Sequence, residues 1–136
     1  MRYFIELSYT GTAYHGWQVQ KNAMSIQEKI NDALSKKLRY EATCLGSGRT
    51  DTGVHALVQI AHFDTNQPIS DLENFLFQLN SMLPSDISAN KLFAVTKDAS
   101  ARFDAVSRSY IYRTHKFKNP FLEGYSYFFN QPLDLA

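Results

Sequence analysis

A single cysteine, Cys44, is present in the 136 residues, so no internal disulfide can form. The lack of any CxxC or His-rich spacing leaves no framework for structural zinc. Cys44 reads as a small core residue. No apolar run approaches the ~20 residues that span a bilayer. Met1-Arg2-Tyr3-Phe4 leads directly into an alternating strand, unlike a signal peptide. The expectation is a soluble, cytoplasmic protein with no membrane partner. Also missing is a complete phosphate loop. Gly46-x-Gly48 follows a strand-like run, but the third glycine is misplaced, no helix follows and no Gly-Lys-Ser/Thr ending occurs.

Excess charge is missing too, the formal net charge being +1. Its distribution is uneven. Between residues 64 and 90 stand Asp64, Asp71, Glu73 and Asp86 with no Lys or Arg, whereas residues 97 to 118 carry six cations against Asp98 and Asp104. Such asymmetry fits an anionic partner on one face, and it equally fits a solvated charge run. With 44% hydrophobic and 20% charged residues, the composition is that of a folded domain with its own core.

Periodicity supplies the elements. Arg2 to Tyr9 alternates as a strand with Tyr3, Ile5, Leu7 and Tyr9 on one face. A long loop carries Gly11, His15, Gly16 and Trp17, with Trp17 expected as a packing anchor. Ser25-x-x-Glu28 is a capping box ahead of Ile26, Ile30, Ala33, Leu34 and Leu38 at helical spacing. Ala42 to Leu45 and Leu57 to Phe63 read as strands. Ser70-x-x-Glu73 repeats the capping box before a helix that stops near Pro84, and Ile87 to Val95 gives a fourth strand. This order predicts an α+β, ferredoxin-like (split βαβ, RRM-like) antiparallel sheet with two helices on one face. Further strands are expected at Ser109 to Phe117, with Tyr110, Tyr112, Thr114 and Lys116 on one side, and at Tyr125 to Phe129. Residues 1–100 would form the ferredoxin-like domain, and 101–136 the additional strands and a linker.

Between the second and third strands lies Gly46-Ser47-Gly48-Arg49-Thr50-Asp51-Thr52-Gly53-Val54-His55-Ala56. Three glycines in eight positions let the backbone take positive φ and let a ligand approach closely. Arg49 stands two residues from Asp51, and a nearby guanidinium favours the carboxylate while its donors can also hold a phosphate. An isolated Asp-x-Gly is otherwise an ordinary turn former.

From Gly48 to Ala56 this loop resembles the catalytic motif of the tRNA pseudouridine synthase A family. Further matches follow in order: Ser8-Tyr9-Thr10-Gly11, Tyr14-His15-Gly16-Trp17-Gln18, Ser25-Ile26-Gln27-Glu28, Ala101-Arg102-Phe103-Asp104-Ala105 and Arg108-Ser109-Tyr110-Ile111-Tyr112. Several separated motifs in the right order are far more specific than one loop. The resemblance covers nearly all of the chain and about half of a typical member. Gln131 to Ala136 resembles the entry into the family's second half, which is either truncated here or lost.

The resemblance implies half of a pseudouridine synthase catalytic fold, with Asp51 as the essential carboxylate. That residue would attack the sugar, attack the base or deprotonate the ribose. It implies Tyr110 as the active-site tyrosine that stacks on the extruded base, although tyrosine by itself is a common strand core residue. Arg49 fits the family's arginine, pairing with Asp51 when empty and with target phosphate when RNA enters, or else forming a fixed ion pair. Arg102, Arg108 and Arg113 are candidate phosphate contacts or plain surface cations, and His55 belongs to the same loop. The implied substrate is tRNA, at uridines 38 to 40 of the anticodon stem-loop, and the implied assembly is a homodimer. No cofactor is called for. A metal on His55, His62 and Asp64 has short spacing in its favour but no HExxH-type pattern, so none is expected. The alternative is a non-catalytic RRM-like RNA-binding module, against which stands the lack of an RNP1-like string.

Overall fold

The computed structural model describes residues 1–134, in two compact units. The first runs from Met1 to Ala105, and the second begins at Val106.

In the first unit, β1 (Arg2–Tyr9) alternates half-buried with buried positions, sending Tyr3, Ile5, Leu7 and Tyr9 into the core. Helix α1 (Ile26–Leu38) starts where the Ser25 hydroxyl accepts the Glu28 N–H at 3.2 Å. It buries Ile26, Ile30, Ala33 and Leu34. Strand β2 (Leu45–Gly46) is shorter than the Ala42 to Leu45 run predicted, because α1 side chains take up that backbone. Ser35 Oγ accepts the Ala42 N–H at 2.9 Å, Asn31 Oδ1 accepts the Cys44 N–H at 2.9 Å, and Gln27 Nε2 donates to the Cys44 carbonyl at 2.7 Å. Burial pushes the Cys44 thiol up to about 12, in keeping with a core role.

Strand β3 (Ala56–Asp64) and β4 (Ile87–Val95) complete an antiparallel sheet of order β2-β3-β1-β4. Between β3 and β4, α2 (Leu72–Met82) buries Phe75 and Leu79. Its N-cap is Asp71, which accepts the Asn74 N–H at 3.0 Å, and not the predicted Ser70. Leu83 ends α2 in extended backbone, as a residue before proline does. Both helices share one core with Tyr3, Ile5, Leu7, Ala61 and Phe63, so they lie on one face of the sheet. At the Arg2 end, the opposite face is partly covered. Arg2 Nη1 donates to the Ala99 carbonyl and the Ala101 N–H donates to buried His62 Nδ1, which keeps this unit continuous past residue 100.

Two irregularities shape the other end. The β1–β3 register runs Leu7↔Gln59 and then Tyr9↔Ala56, so Leu57 and Val58 together oppose Ser8. The β1–β4 register runs Glu6↔Lys91 and then Leu7↔Ala89, leaving Asn90 as the extra residue. A polar chain joins these bulges. Ser88 Oγ donates to Asn90 Oδ1, Asn90 Nδ2 donates to Ser8 Oγ, and Ser8 Oγ donates to the Leu57 carbonyl at 2.6 Å.

In the second unit, β5 (Thr114–His115) and β6 (Tyr127–Phe128) pair in parallel. Both are shorter than the predicted Ser109 to Phe117 and Tyr125 to Phe129. The alternation at Tyr110 and Tyr112 buries nothing, since these rings are 63% and 90% exposed, and no ladder extends that far. Part of the predicted entry into a second half, Leu135 and Ala136, lies outside the described residues.

Candidate active site

The strand ends fix where the β2–β3 loop begins. The Ser47 N–H donates to the Ile60 carbonyl at 2.7 Å, and Gln59 Nε2 donates to the Gly48 carbonyl at 2.6 Å. From Thr50 onward the loop is held by the end of β1 and the segment that follows it. The Trp17 N–H donates to the Thr50 carbonyl at 3.1 Å, and the Tyr9 and Thr50 hydroxyls bond at 2.9 Å. The Gly53 N–H donates to the Tyr14 carbonyl at 3.3 Å. Asp51 to Val54 is itself a turn, with the Val54 N–H on the Asp51 carbonyl and Gly53 at φ +81° in the third position, where a type II turn needs glycine.

This contact is so close that one position has no room for a side chain. A Cβ on Gly16, whose φ is +83°, would lie 2.4 Å from the Thr50 carbonyl oxygen. Beneath the loop, Trp17 is 1% exposed and stacks on Tyr9 with ring centroids 6.3 Å apart, as expected of a packing anchor. His55 is half-buried, and its Nδ1 accepts the Gly11 N–H at 2.9 Å, which makes it a brace of the loop.

Asp51 itself is exposed. Its backbone is immobilised on both sides while its carboxylate faces solvent, an arrangement that presents a nucleophile or base to a large substrate. Arg49 is exposed in the same loop, but the expected ion pair is not formed. Ion pairs within 4.0 Å do form elsewhere in this unit, at Arg2–Asp64 and Lys91–Glu6. Two exposed charges gain little by pairing in water and lose side-chain freedom, so backbone bonds and not charge set this loop.

The loop thus gathers Asp51, Arg49 and His55. Arg102 is exposed in the same unit but belongs to the far end of the sheet. Its neighbour Ala101 is pinned by His62, which pairs with Phe4, whereas the Asp51 loop is tied at Tyr9. Those five strand positions separate the anchors by roughly 17 Å. Arg102 covers the Phe103 ring at 5.3 Å. Tyr110, Arg108 and Arg113 all fall in the second unit and are exposed there, the Arg113 carbonyl accepting the Tyr127 N–H at 2.7 Å.

At that far end, burial lowers the pKa of His62, Arg2 adds to this and Asp64 opposes it. The Arg2 guanidinium, bonded at 2.8 Å, holds the Asp64 carboxyl below its ordinary range. A groove of about 410 Å³, lined by residues that include Arg2, Tyr40, Thr43, His62, Asp64 and Asn66, lies here and involves no residue of the Asp51 loop. Among the described residues no three His, Cys, Asp or Glu side chains converge on a metal position.

Sequence reasoning did not single out Tyr9, Tyr14 or Thr50 as supports of the loop. The Gly11 and Gly16 positions were the available signal, since each marks a close approach of backbone to the loop. A Cβ on Gly11 would lie 2.0 Å from the Val54 carbonyl oxygen.

Comparison with known proteins gives a consistent result. Residues 7–104 match the family model described as tRNA pseudouridine synthase. A protein named tRNA pseudouridine synthase A from Bacteroides fragilis is 48% identical over 133 residues, covering 98% of this chain and 53% of the relative. One of the same name from Parabacteroides distasonis is 48% identical over 120 residues, covering 88% and 48%, respectively. A third, from a Thermoanaerobacter species, is 41% identical over 133 residues, covering 96% and 54%. The chain spans about half the length of the curated relatives it matches.

Proposed function

The chain belongs to the tRNA pseudouridine synthase family, and on that premise we propose that it carries the catalytic carboxylate of an RNA uridine isomerase, Asp51. The observation that supports this most is the combination of an exposed Asp51 side chain with a loop backbone bonded at Thr50 and Gly53 to the segment after β1.

In the proposed reaction the bond from ribose C1′ to N1 of uracil breaks, the base turns, and a bond from C1′ to C5 forms. The C5 proton leaves to solvent and N1 takes one up, so the change is redox-neutral. Asp51 serves as the nucleophile that holds the sugar or base during the turn, or as the base that removes a ribose proton. A stacked or paired uridine is out of reach, so the nucleotide is extruded and its lost stacking is replaced by an aromatic ring. Tyr110 takes that role. Arg49, exposed in the same loop and not paired with Asp51, contacts the phosphate beside the target, and Arg102, Arg108 and Arg113 add positioning contacts to the backbone.

The substrate is tRNA, at uridines 38 to 40 of the anticodon stem-loop, and the enzyme acts in the cytoplasm as a homodimer. The first unit, from Met1 to Ala105, supplies the domain with the Asp51 loop, and the additional length of the relatives supplies the other wall of the cleft. The 136-residue chain alone is therefore folded but nearly inactive.

The test is tritium release from tRNA labelled at uridine C5, using a full-length enzyme that carries this chain. Release from native tRNA is expected, together with loss of release when uridines 38 to 40 are replaced by cytidine. Undiminished release from the replaced tRNA would contradict the positional assignment, and no release from any tRNA would contradict the activity.

A further inference from the structure

Tyr14 is 4% exposed, yet it carries a hydroxyl, and the structure shows where that hydroxyl goes. It donates to Asp86 Oδ1 at 2.7 Å. Asp86 immediately precedes β4 and is bonded to the same segment a second time, its carbonyl accepting the Thr10 N–H at 3.0 Å. Burial, reinforced by the Asp86 bond, raises the Tyr14 phenol above its ordinary value, so Tyr14 remains a donor. At its own backbone Tyr14 faces the other way. Its N–H donates to the Gly11 carbonyl at 3.0 Å, and its carbonyl accepts the N–H of Gly53, two residues from Asp51.

We propose that Asp86 is a positioning residue for Asp51, acting through the Tyr14 hydroxyl and the Tyr14 carbonyl on the Gly53 amide. The inference rests on the catalytic role proposed for Asp51. Asp86 itself bonds to Tyr14 and Thr10, outside the loop. It fixes the rotation of Tyr14, and Tyr14 fixes the turn from Asp51 to Val54. Thr50 is bonded by Trp17 and Tyr9 and not by Tyr14, so the start of the loop and the turn after Asp51 have separate anchors. Losing the Asp86 link frees only the latter. A displacement of about 1 Å at a reacting group lowers turnover by ~100-fold. Affinity, which many cations supply, has no reason to follow.

The predicted signature separates this role from plain stabilisation. In the full 136-residue chain, Tyr14→Phe and Asp86→Ala should speed hydrogen exchange at the Gly53 amide about 10-fold or more. The core amides of Ile5 and Leu34 should keep their relative protection. In a full-length enzyme carrying this chain, both variants should lower kcat about 10- to 100-fold with KM for tRNA within about twofold. Asp86→Asn retains an acceptor oxygen and should restore most of both readouts. Tyr14→Phe removes a single oxygen, so it serves where Asp86→Ala does not fold.

Unchanged Gly53 exchange in Tyr14→Phe, or exchange accelerated equally throughout the core, would overturn the proposal. Unchanged kcat in both variants of an enzyme that needs Asp51 would do the same. Asp51→Asn, measured in parallel, keeps the two ideas apart. If that variant turns over normally, the catalytic reading fails, and the Asp86 link is then judged on Gly53 exchange alone.

Discussion

The Trp17 N–H donates to the Thr50 carbonyl at 3.1 Å, and the Trp17 carbonyl accepts the Gln27 N–H at 2.9 Å. One residue therefore connects the loop that carries Asp51 to the first turn of α1, while its indole packs in the core. The loop is an extension of the folded core, and the exposure of Asp51 is not a sign of loose structure.

Gly16 makes that connection possible, so Gly16→Ala should both strain the backbone and push against Thr50. The left-handed conformation alone costs about 1–2 kcal/mol for an L residue. For a unit of this size that corresponds to a fall in Tm of about 5–15 °C. Thermal unfolding followed by circular dichroism measures it, and an unchanged Tm would show that the close approach at Thr50 does not exist.

Acid should destabilise the first unit through His62. Its pKa is lowered in the fold, mainly by burial, so the unfolded chain binds this proton more readily. Stability is level above the unfolded value of about 6.5 and falls as pH drops below it, down to the folded pKa. Asp64 acts in the same direction at lower pH, since Arg2 depresses its pKa and the stability present above about 3.9 is lost on protonation; because the pair is partly exposed, this contribution is small. His62→Asn keeps an acceptor for the Ala101 N–H and should flatten the Tm profile between pH 5 and 7. A profile as steep as that of the native chain would contradict this.

Tyr110 is 63% exposed and supports no core, so Tyr110→Ala should leave Tm unchanged. If its ring replaces lost base stacking, the same variant in a full-length enzyme should lower kcat/KM by an amount equivalent to about 1–3 kcal/mol, and Tyr110→Phe should restore it. Steady-state kinetics on tRNA decide the matter. A lower Tm with normal kinetics would return Tyr110 to a structural role.

How far the sequence disclosed this protein depended on the range of each interaction. Alternation placed β1 and β4 at their observed bounds, and helical spacing behind Ser25 placed α1, because each pattern answers to a single buried face. The shortness of β2 was hidden, since its backbone bonds go to Ser35, Asn31 and Gln27 of a helix. Asp51, Arg49 and His55 were legible as one glycine-bounded motif. The supports of that motif were not, because the Tyr9–Thr50 bond spans 41 residues and the Tyr14–Asp86 bond spans 72. The missing Arg49–Asp51 pair follows from exposure, which sequence spacing does not reveal.

The most direct measurement is Asp51→Asn in a full-length enzyme carrying this chain, with tritium release from C5-labelled tRNA and filter binding read on the same samples. The substitution keeps the size of the side chain and removes the charge that a nucleophile or base requires. The account predicts release below about one-thousandth of native, with tRNA affinity within about threefold, since phosphate contacts supply the binding. Release near the native rate would contradict the assignment of Asp51, and with it the function proposed for the loop.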